Sequence, residues 1–86
     1  MDTVLEQITI LRAARVLAGL SQDELAHAAG VSRQIVVRLE SGEPSISIGH
    51  LERIRTAIEN AGVAFIPSTD ERGPGIASRR TPRPNP

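Results

Sequence analysis

Residues 20–42 read Leu-Ser-Gln-Asp-Glu-Leu-Ala-His-Ala-Ala-Gly-Val-Ser-Arg-Gln-Ile-Val-Val-Arg-Leu-Glu-Ser-Gly, and this stretch decides the fold. Ser21 and Glu24 have the Ser-x-x-Glu spacing of a capping box, in which each side chain accepts a hydrogen bond from the other residue's backbone amide. Ser32 is placed to cap a second helix, and Gly30 stands where a left-handed residue ends the first. The pattern therefore predicts two short helices that meet at a steep angle, as in a helix-turn-helix.

The second of these helices carries side chains suited to reading DNA. In a helix-turn-helix this helix lies in the major groove, and Arg and Gln have the geometry that fits guanine and adenine edges. Arg33 and Gln34 are therefore candidates for base contact, the alternative being ordinary solvated surface residues. Ile35 and Val37 are β-branched apolar residues on a face that should be exposed. Either one of them contacts a thymine methyl group, or looser packing buries both.

The pattern Leu-Ser-Gln-x-Glu-Leu-Ala-x-x-Ala-Gly-Val-Ser followed by Leu-Glu-Ser-Gly resembles the XRE family, the phage repressor and Cro type. The resemblance runs from about Ile10 to Ile58 and is strongest from Leu11 to Gly42. It implies a mainly α fold: a repressor-like helix-turn-helix domain of four to five helices, here followed by a short C-terminal β-strand or hairpin.

The resemblance also implies roles for individual residues. Gln22, at the start of the first motif helix, matches a phosphate contact, and we expect Ser41 to contact a phosphate as well. The positions that match base contacts are Ser32, Arg33, Gln34 and Arg38. A partly buried ion pair that links helix 1 to the end of the recognition helix maps onto Arg15 and Glu40. The alternative is that these are two unrelated surface charges.

Flanking segments complete a helical domain over residues 1–62. An amphipathic helix is predicted from Asp2 or Thr3 to Ala18, and a loop is expected at Glu43-Pro44-Ser45 because proline cannot continue a helix. Ser47 then caps a fourth helix. The residues of that helix expected to point inward are Ile48, Leu51, Ile54 and Ile58. Within the motif, the predicted core residues are Leu25, Ala28, Ala29, Val31, Val36 and Leu39.

Residues 63–79 read as a β-hairpin, with strands at Val63–Ile66 and, more weakly, at 75–79. An isolated hairpin is marginal in water and its open edge is a template for another chain, so we expect Val63, Phe65 and Ile66 to form a dimer contact. For Phe65 the alternative is a place in the domain core. Residues 80–86 hold three prolines and are expected to be a disordered basic tail.

Composition bounds the function classes. At 86 residues the chain is at most one domain, and it has no cysteine, so it has neither disulfides nor thiolate metal sites. His27 and His50 are isolated, and no catalytic constellation can be assembled; we expect no metal, no cofactor and no enzyme activity. Neither a signal peptide nor a membrane span is evident, which favours a cytoplasmic protein with no membrane partner.

The charge is balanced, which is unusual for a nucleic-acid-binding protein. Residues 1–70 hold six arginines against nine acids, net −3, and residues 71–86 hold four against one, net +3. Attraction to phosphates should therefore be modest, and a second subunit should contribute to binding. The helix-turn-helix pattern, the resemblance to the XRE family and the C-terminal strand together predict a homodimeric transcriptional repressor that reads an inverted repeat in double-stranded DNA. The alternative is an antitoxin-like module that neutralises a partner protein, a toxin, and regulates its own synthesis by binding DNA.

Overall fold

Within residues 3–43 and 45–79, which a computed structural model describes, the chain forms four helices and a two-stranded antiparallel hairpin. In chain order the elements are α1 (Val4–Leu17), α2 (Gln22–Ala29), α3 (Arg33–Glu40), α4 (Ile48–Asn60), β1 (Val63–Ile66) and β2 (Gly75–Ser78). The predicted mainly α fold with a C-terminal hairpin is confirmed. The predictions for Pro44 and for residues 80–86 lie outside the described residues. No described helix has the length and apolar character needed to cross a membrane.

Hydroxyl side chains begin the four described helices, at Thr3, Ser21, Ser32 and Ser47. The predicted capping box at Ser21 is complete, with the Glu24 amide donating to Ser21 Oγ at 3.0 Å and the Ser21 amide donating to Glu24 Oε1 at 2.8 Å. A second capping box joins Thr3 and Glu6 at the start of α1. Its Thr-x-x-Glu spacing carries the same signal, so α1 begins at Val4, with Thr3 outside the helix.

The turn between α2 and α3 depends on a glycine. Gly30 has φ +70°, and the Val31 amide donates to the Ala26 carbonyl at 3.0 Å across it. This is the 6→1 hydrogen bond of a Schellman motif, which ends a helix when the residue after it has left-handed backbone geometry. The turn is therefore tight, and it directs α3 across α2.

The hydrophobic core lies where α1, the helix-turn-helix, α4 and β1 pack together. Its largest fully buried side chains are Leu25, Ile54, Ile58, Val36 and Val63. They come from α2, α4, α3 and β1, so no single pair of elements makes the core. Burying one such side chain stabilises the fold by about 1.5–3 kcal/mol. The strand and α4 thus form the support that holds α2 and α3 in place.

Two core predictions are wrong. Ile48 is 74% exposed, because it is the first residue of α4 and lies beyond the end of the packed face; Ala57, near the other end, is buried instead. In α2 the buried neighbour of Leu25 is Ala26, and Ala28 is exposed. Around the helix, Ala26 and Ala28 lie on opposite sides of Leu25, so a face that buries Leu25 and Ala26 leaves Ala28 exposed.

The hairpin pairs Val63 with Ser78, Phe65 with Ile76 and Ile66 with Gly75. Val63 is 1% exposed and belongs to this chain's own core, which corrects the prediction that it contacts a partner. Its side of the strand faces the helices, and half-buried Phe65 packs against the core on the same side. Ile66 lies on the opposite, outward side of β1, where its side chain is half-buried.

Candidate nucleic-acid interface

The outward face of α3 is set by the two residues that it buries. Val36 and Leu39 are in the core, and with about 3.6 residues per turn the positions opposite them are Gln34, Val37 and Arg38. The Gln34 side chain is exposed and makes no hydrogen bond within the part of the chain that the structure describes. Its amide therefore has both donors and both acceptor positions available for an adenine edge.

Ser32 and Arg33 lie at the start of α3, at the side of this face. Ser32 is exposed, and its Oγ accepts a hydrogen bond from the Ile35 amide at 3.3 Å as the helix cap. Arg33 is exposed, and its Nε lies 3.3 Å from Asp23 Oδ1 in α2. The cap leaves the Ser32 hydroxyl hydrogen for a donor contact, whereas Arg33 already has an anionic partner.

Arg38 lies one turn further along and is held by the loop after α3. Its Nε donates to Glu43 Oε2 at 3.4 Å, and its Nη2 donates to Ser45 Oγ at 2.7 Å. Ser41, a predicted phosphate contact, is exposed and donates its hydroxyl hydrogen to the Arg38 carbonyl at 2.9 Å. A phosphate contact through Ser41 would therefore need its hydroxyl to rotate.

The two β-branched residues of α3 have different surroundings. Ile35 is half-buried and packs against the core. Val37 is also half-buried, but it lies on the side of α3 away from Val36 and Leu39 and is not among the side chains packed on the core. The structure therefore separates two residues that the sequence treats alike, and it leaves Val37 as the better-placed candidate for a thymine methyl group.

Arg15 and Glu40 join α1 to the end of α3 by a two-point ion pair. Arg15 Nε donates to Glu40 Oε2 at 2.6 Å and Nη2 donates to Oε1 at 3.0 Å, while Nη1 donates to the Leu20 carbonyl at 2.9 Å. The two side chains are only 15% and 7% exposed. Paired, planar contacts of this kind fix orientation as well as distance. The pair therefore fixes the orientation of α3 relative to α1.

Gln22 belongs to the same cluster. Its side-chain Nε2 donates to Glu40 Oε1 at 3.1 Å. The amide nitrogen carries two hydrogens, so this bond leaves one for a phosphate oxygen. The family resemblance predicts a phosphate contact for Gln22, but the sequence gives no sign of its bond to Glu40, because the two residues are 18 positions apart and meet only through the packing of α2 on α3.

The sequence also missed Asp23, Glu43 and Ser45 as partners of the two arginines of α3. The contact between Asp23 and Arg33 depends on the angle between two helices, which residue spacing does not give. Glu43 and Ser45 follow the last residue of α3, so they lie outside the helical i, i+4 spacing that would have indicated an ion pair.

Comparison with known proteins finds a matching family and a related transcriptional regulator. A helix-turn-helix family model matches residues 11–59, which is more than half of the chain. An uncharacterized HTH-type transcriptional regulator of Methanothermobacter thermautotrophicus is 38% identical over 65 residues, covering 76% of this chain and 94% of that relative. The segment matched by the family model includes α2, α3 and the Arg15–Glu40 pair.

Proposed function

Since this chain belongs to the XRE-type helix-turn-helix family of DNA-binding transcription regulators, we propose that it is a homodimeric repressor that reads an inverted repeat with α3 in the major groove. The observation that carries the proposal is the outward face of α3. It presents an exposed, unengaged Gln34 between two arginines of the same helix, directly opposite the buried Val36 and Leu39. A helix whose outer face only meets solvent does not require these three side chains, nor an ion pair such as Arg15–Glu40 that fixes its orientation.

In the proposed complex, α3 carries the base contacts. Arg33 and Arg38 suit guanine edges and Gln34 suits adenine, with Ser32 donating through its hydroxyl. Val37 supplies an apolar contact to a thymine methyl group. Phosphate contacts come from Gln22 and Ser41, at the start of α2 and the end of α3, so they bracket the reading helix and fix its register on the duplex.

The proposed dimer uses the hairpin. Each strand of a two-stranded sheet has one unpaired edge, which is open to another chain unless something covers it. Ile66 lies on the outward side of β1, and Phe65 is half-buried with the Arg55 guanidinium 4.5 Å above its ring. Pairing of hairpins from two subunits would cover these side chains and hold two recognition helices at a fixed separation.

A second candidate function is binding of a partner protein, and the exposed apolar residues of α1 favour it. Val4, Leu5 and Val16 are exposed although they belong to a helix whose other side is in the core. Apolar side chains of this kind are what an antitoxin-like module would offer to a toxin. A tightly bound second protein in the native complex, identified by mass, would support this alternative.

Selection of bound duplexes from a random pool tests the proposed function. We expect an inverted repeat whose half-site centres lie about one helical turn, roughly 34 Å, apart. Sedimentation of the protein with the selected duplex should give two chains per site. Recovery of unrelated sequences, or of an asymmetric half-site bound by one chain, would overturn the proposal.

A further inference from the structure

The helix-turn-helix and its following loop carry more acid than base, which is unexpected for a surface that faces phosphates. Residues 21–45 contain two arginines and four acidic residues. Glu24 accepts the Ser21 amide in the capping box, and Glu40 is the partner of Arg15. The remaining two acids are Asp23 and Glu43, and each contacts one of the two arginines of α3.

These two acid–arginine pairs are not needed to hold the fold together. Both lie on the surface: the side chains of the Arg33–Asp23 pair are 61% and 76% exposed, and those of the Arg38–Glu43 pair are 40% and 44% exposed. Surface ion pairs contribute little to folding, because water screens them and ordering two long side chains costs entropy. Asp23 and Glu43 therefore act mainly on the arginines, which the proposed function assigns to base recognition.

An arginine that is already paired responds differently to a phosphate and to a guanine. A phosphate on unrelated DNA offers acceptor oxygens to the guanidinium, as the carboxylate does, but its negative charge repels the carboxylate that it must replace. A guanine edge offers two acceptors, N7 and O6, in the geometry of the guanidinium fork, so correct docking replaces the contacts that are lost. Pairing of the arginines with carboxylates thus weakens binding to other sequences more than it weakens binding to the operator. Specificity is the difference between these two binding free energies, so the pairing increases it.

We propose that Asp23 and Glu43 are specificity-determining residues: in the free protein they hold Arg33 and Arg38, and an operator base edge releases these arginines where a bare phosphate does not. This inference rests on the proposed function, because it requires Arg33 and Arg38 to read bases. Ser45 helps Glu43 to hold Arg38, because the Ser45 hydroxyl accepts a hydrogen bond from Arg38 Nη2 while Glu43 accepts one from Arg38 Nε.

The test compares Asp23→Asn, Glu43→Gln and the double variant with Glu24→Gln. Glu24→Gln is a matched control: it removes the same charge from the residue next to Asp23, and glutamine keeps the capping box. For each full-length variant, affinities are measured by titration for the selected operator and for a random duplex, over a range of salt concentrations. The Nε–Hε NMR signals of Arg33 and Arg38 report the pairing in the free protein.

We expect Asp23→Asn and Glu43→Gln each to raise affinity for random DNA several-fold and to raise operator affinity less. The slope of log affinity against log salt for random DNA should steepen by about one per released arginine. The Nε–Hε signal should shift for Arg33 only in Asp23→Asn, and for Arg38 only in Glu43→Gln. Glu24→Gln should leave the ratio of operator to random affinity and the arginine signals unchanged.

Two results separate the failure of this inference from the failure of the proposed function. If an operator is selected but Asp23→Asn and Glu43→Gln keep the wild-type affinity ratio, or change it no more than Glu24→Gln does, Asp23 and Glu43 do not determine specificity. If the random pool gives no preferred sequence, the proposed base reading by α3 fails, and this inference fails with it.

Discussion

Replacing Glu40 with alanine should lower the free energy of unfolding by about 3 kcal/mol, because it leaves a mostly buried guanidinium without its anion. The Glu40 carboxylate accepts three hydrogen bonds, two from Arg15 and one from Gln22. Without them Arg15 keeps only its bond to the Leu20 carbonyl, at 15% side-chain exposure. Breaking a buried pair costs about 3–5 kcal/mol, and the residual exposure places this one at the lower end.

The size of this loss makes it easy to measure. An 86-residue chain has a total stability of about 4–13 kcal/mol, so a loss of 3 kcal/mol is a large share of it. At about 4–8 °C per kcal/mol, the melting temperature should fall by roughly 12–24 °C. Thermal unfolding followed by circular dichroism checks this. Glu43→Ala is the control: its partner Arg38 has a side chain that is 40% exposed and so stays in contact with water, and we expect a loss below about 0.5 kcal/mol.

A double-mutant cycle isolates the pair from the rest of the cluster. Arg15→Met and Glu40→Met should each be destabilising alone, while the double variant should be less destabilised than the sum of the two by at least about 1 kcal/mol, because it leaves no unpaired charge. Equal melting temperatures for Glu40→Ala and Glu43→Ala, or additive effects in the cycle, would refute the reasoning.

Three further predictions concern the DNA contacts, the turn and the dimer. Arg33→Ala and Gln34→Ala should each lose about 1–3 kcal/mol on the preferred operator and little on random DNA, whereas Gln22→Ala should weaken both nearly equally; competition titrations distinguish these patterns. Gly30→Ala should cost about 1 kcal/mol in thermal unfolding, solely from the left-handed backbone, since no atom lies within 4 Å of the added Cβ. If the proposed hairpin dimer forms, Ile66→Asp should convert it to a monomer in sedimentation and leave the helical content unchanged; a dimer that persists would place the interface elsewhere.

Local signals made the helices predictable. Ser21, Ser32 and Ser47 each fix where a helix begins, and Gly30 fixes where α2 ends, because capping and left-handed geometry involve residues only a few positions apart. The strands at Val63–Ile66 and Gly75–Ser78 were likewise readable from β-type residues between turn signals.

The errors arose where the answer depends on how elements pack. Ile48 fits the helical period of α4 but lies beyond the end of its packed face, and periodicity alone does not show where packing ends. The sequence predicts a partner contact for Val63 because one helical layer cannot cover both sides of a strand, yet Val63 lies on the covered side. The partner of Arg33, Asp23, lies in another helix, and no sequence spacing reveals that contact.

In the proposed complex the two kinds of DNA contact are prepared differently. Gln22 is already held by Glu40, which also holds α1 to α3, and its second amide hydrogen remains for a phosphate. That contact needs no rearrangement, so little entropy is lost when it forms. Arg33 and Arg38, in contrast, exchange a carboxylate for a base edge. In this proposal, a chain with no net charge binds DNA selectively. The cluster around Glu40 positions the phosphate contact, and Arg33 and Arg38 exchange their carboxylates for base edges. The chain therefore does not need a large positive charge, which would attract DNA of any sequence.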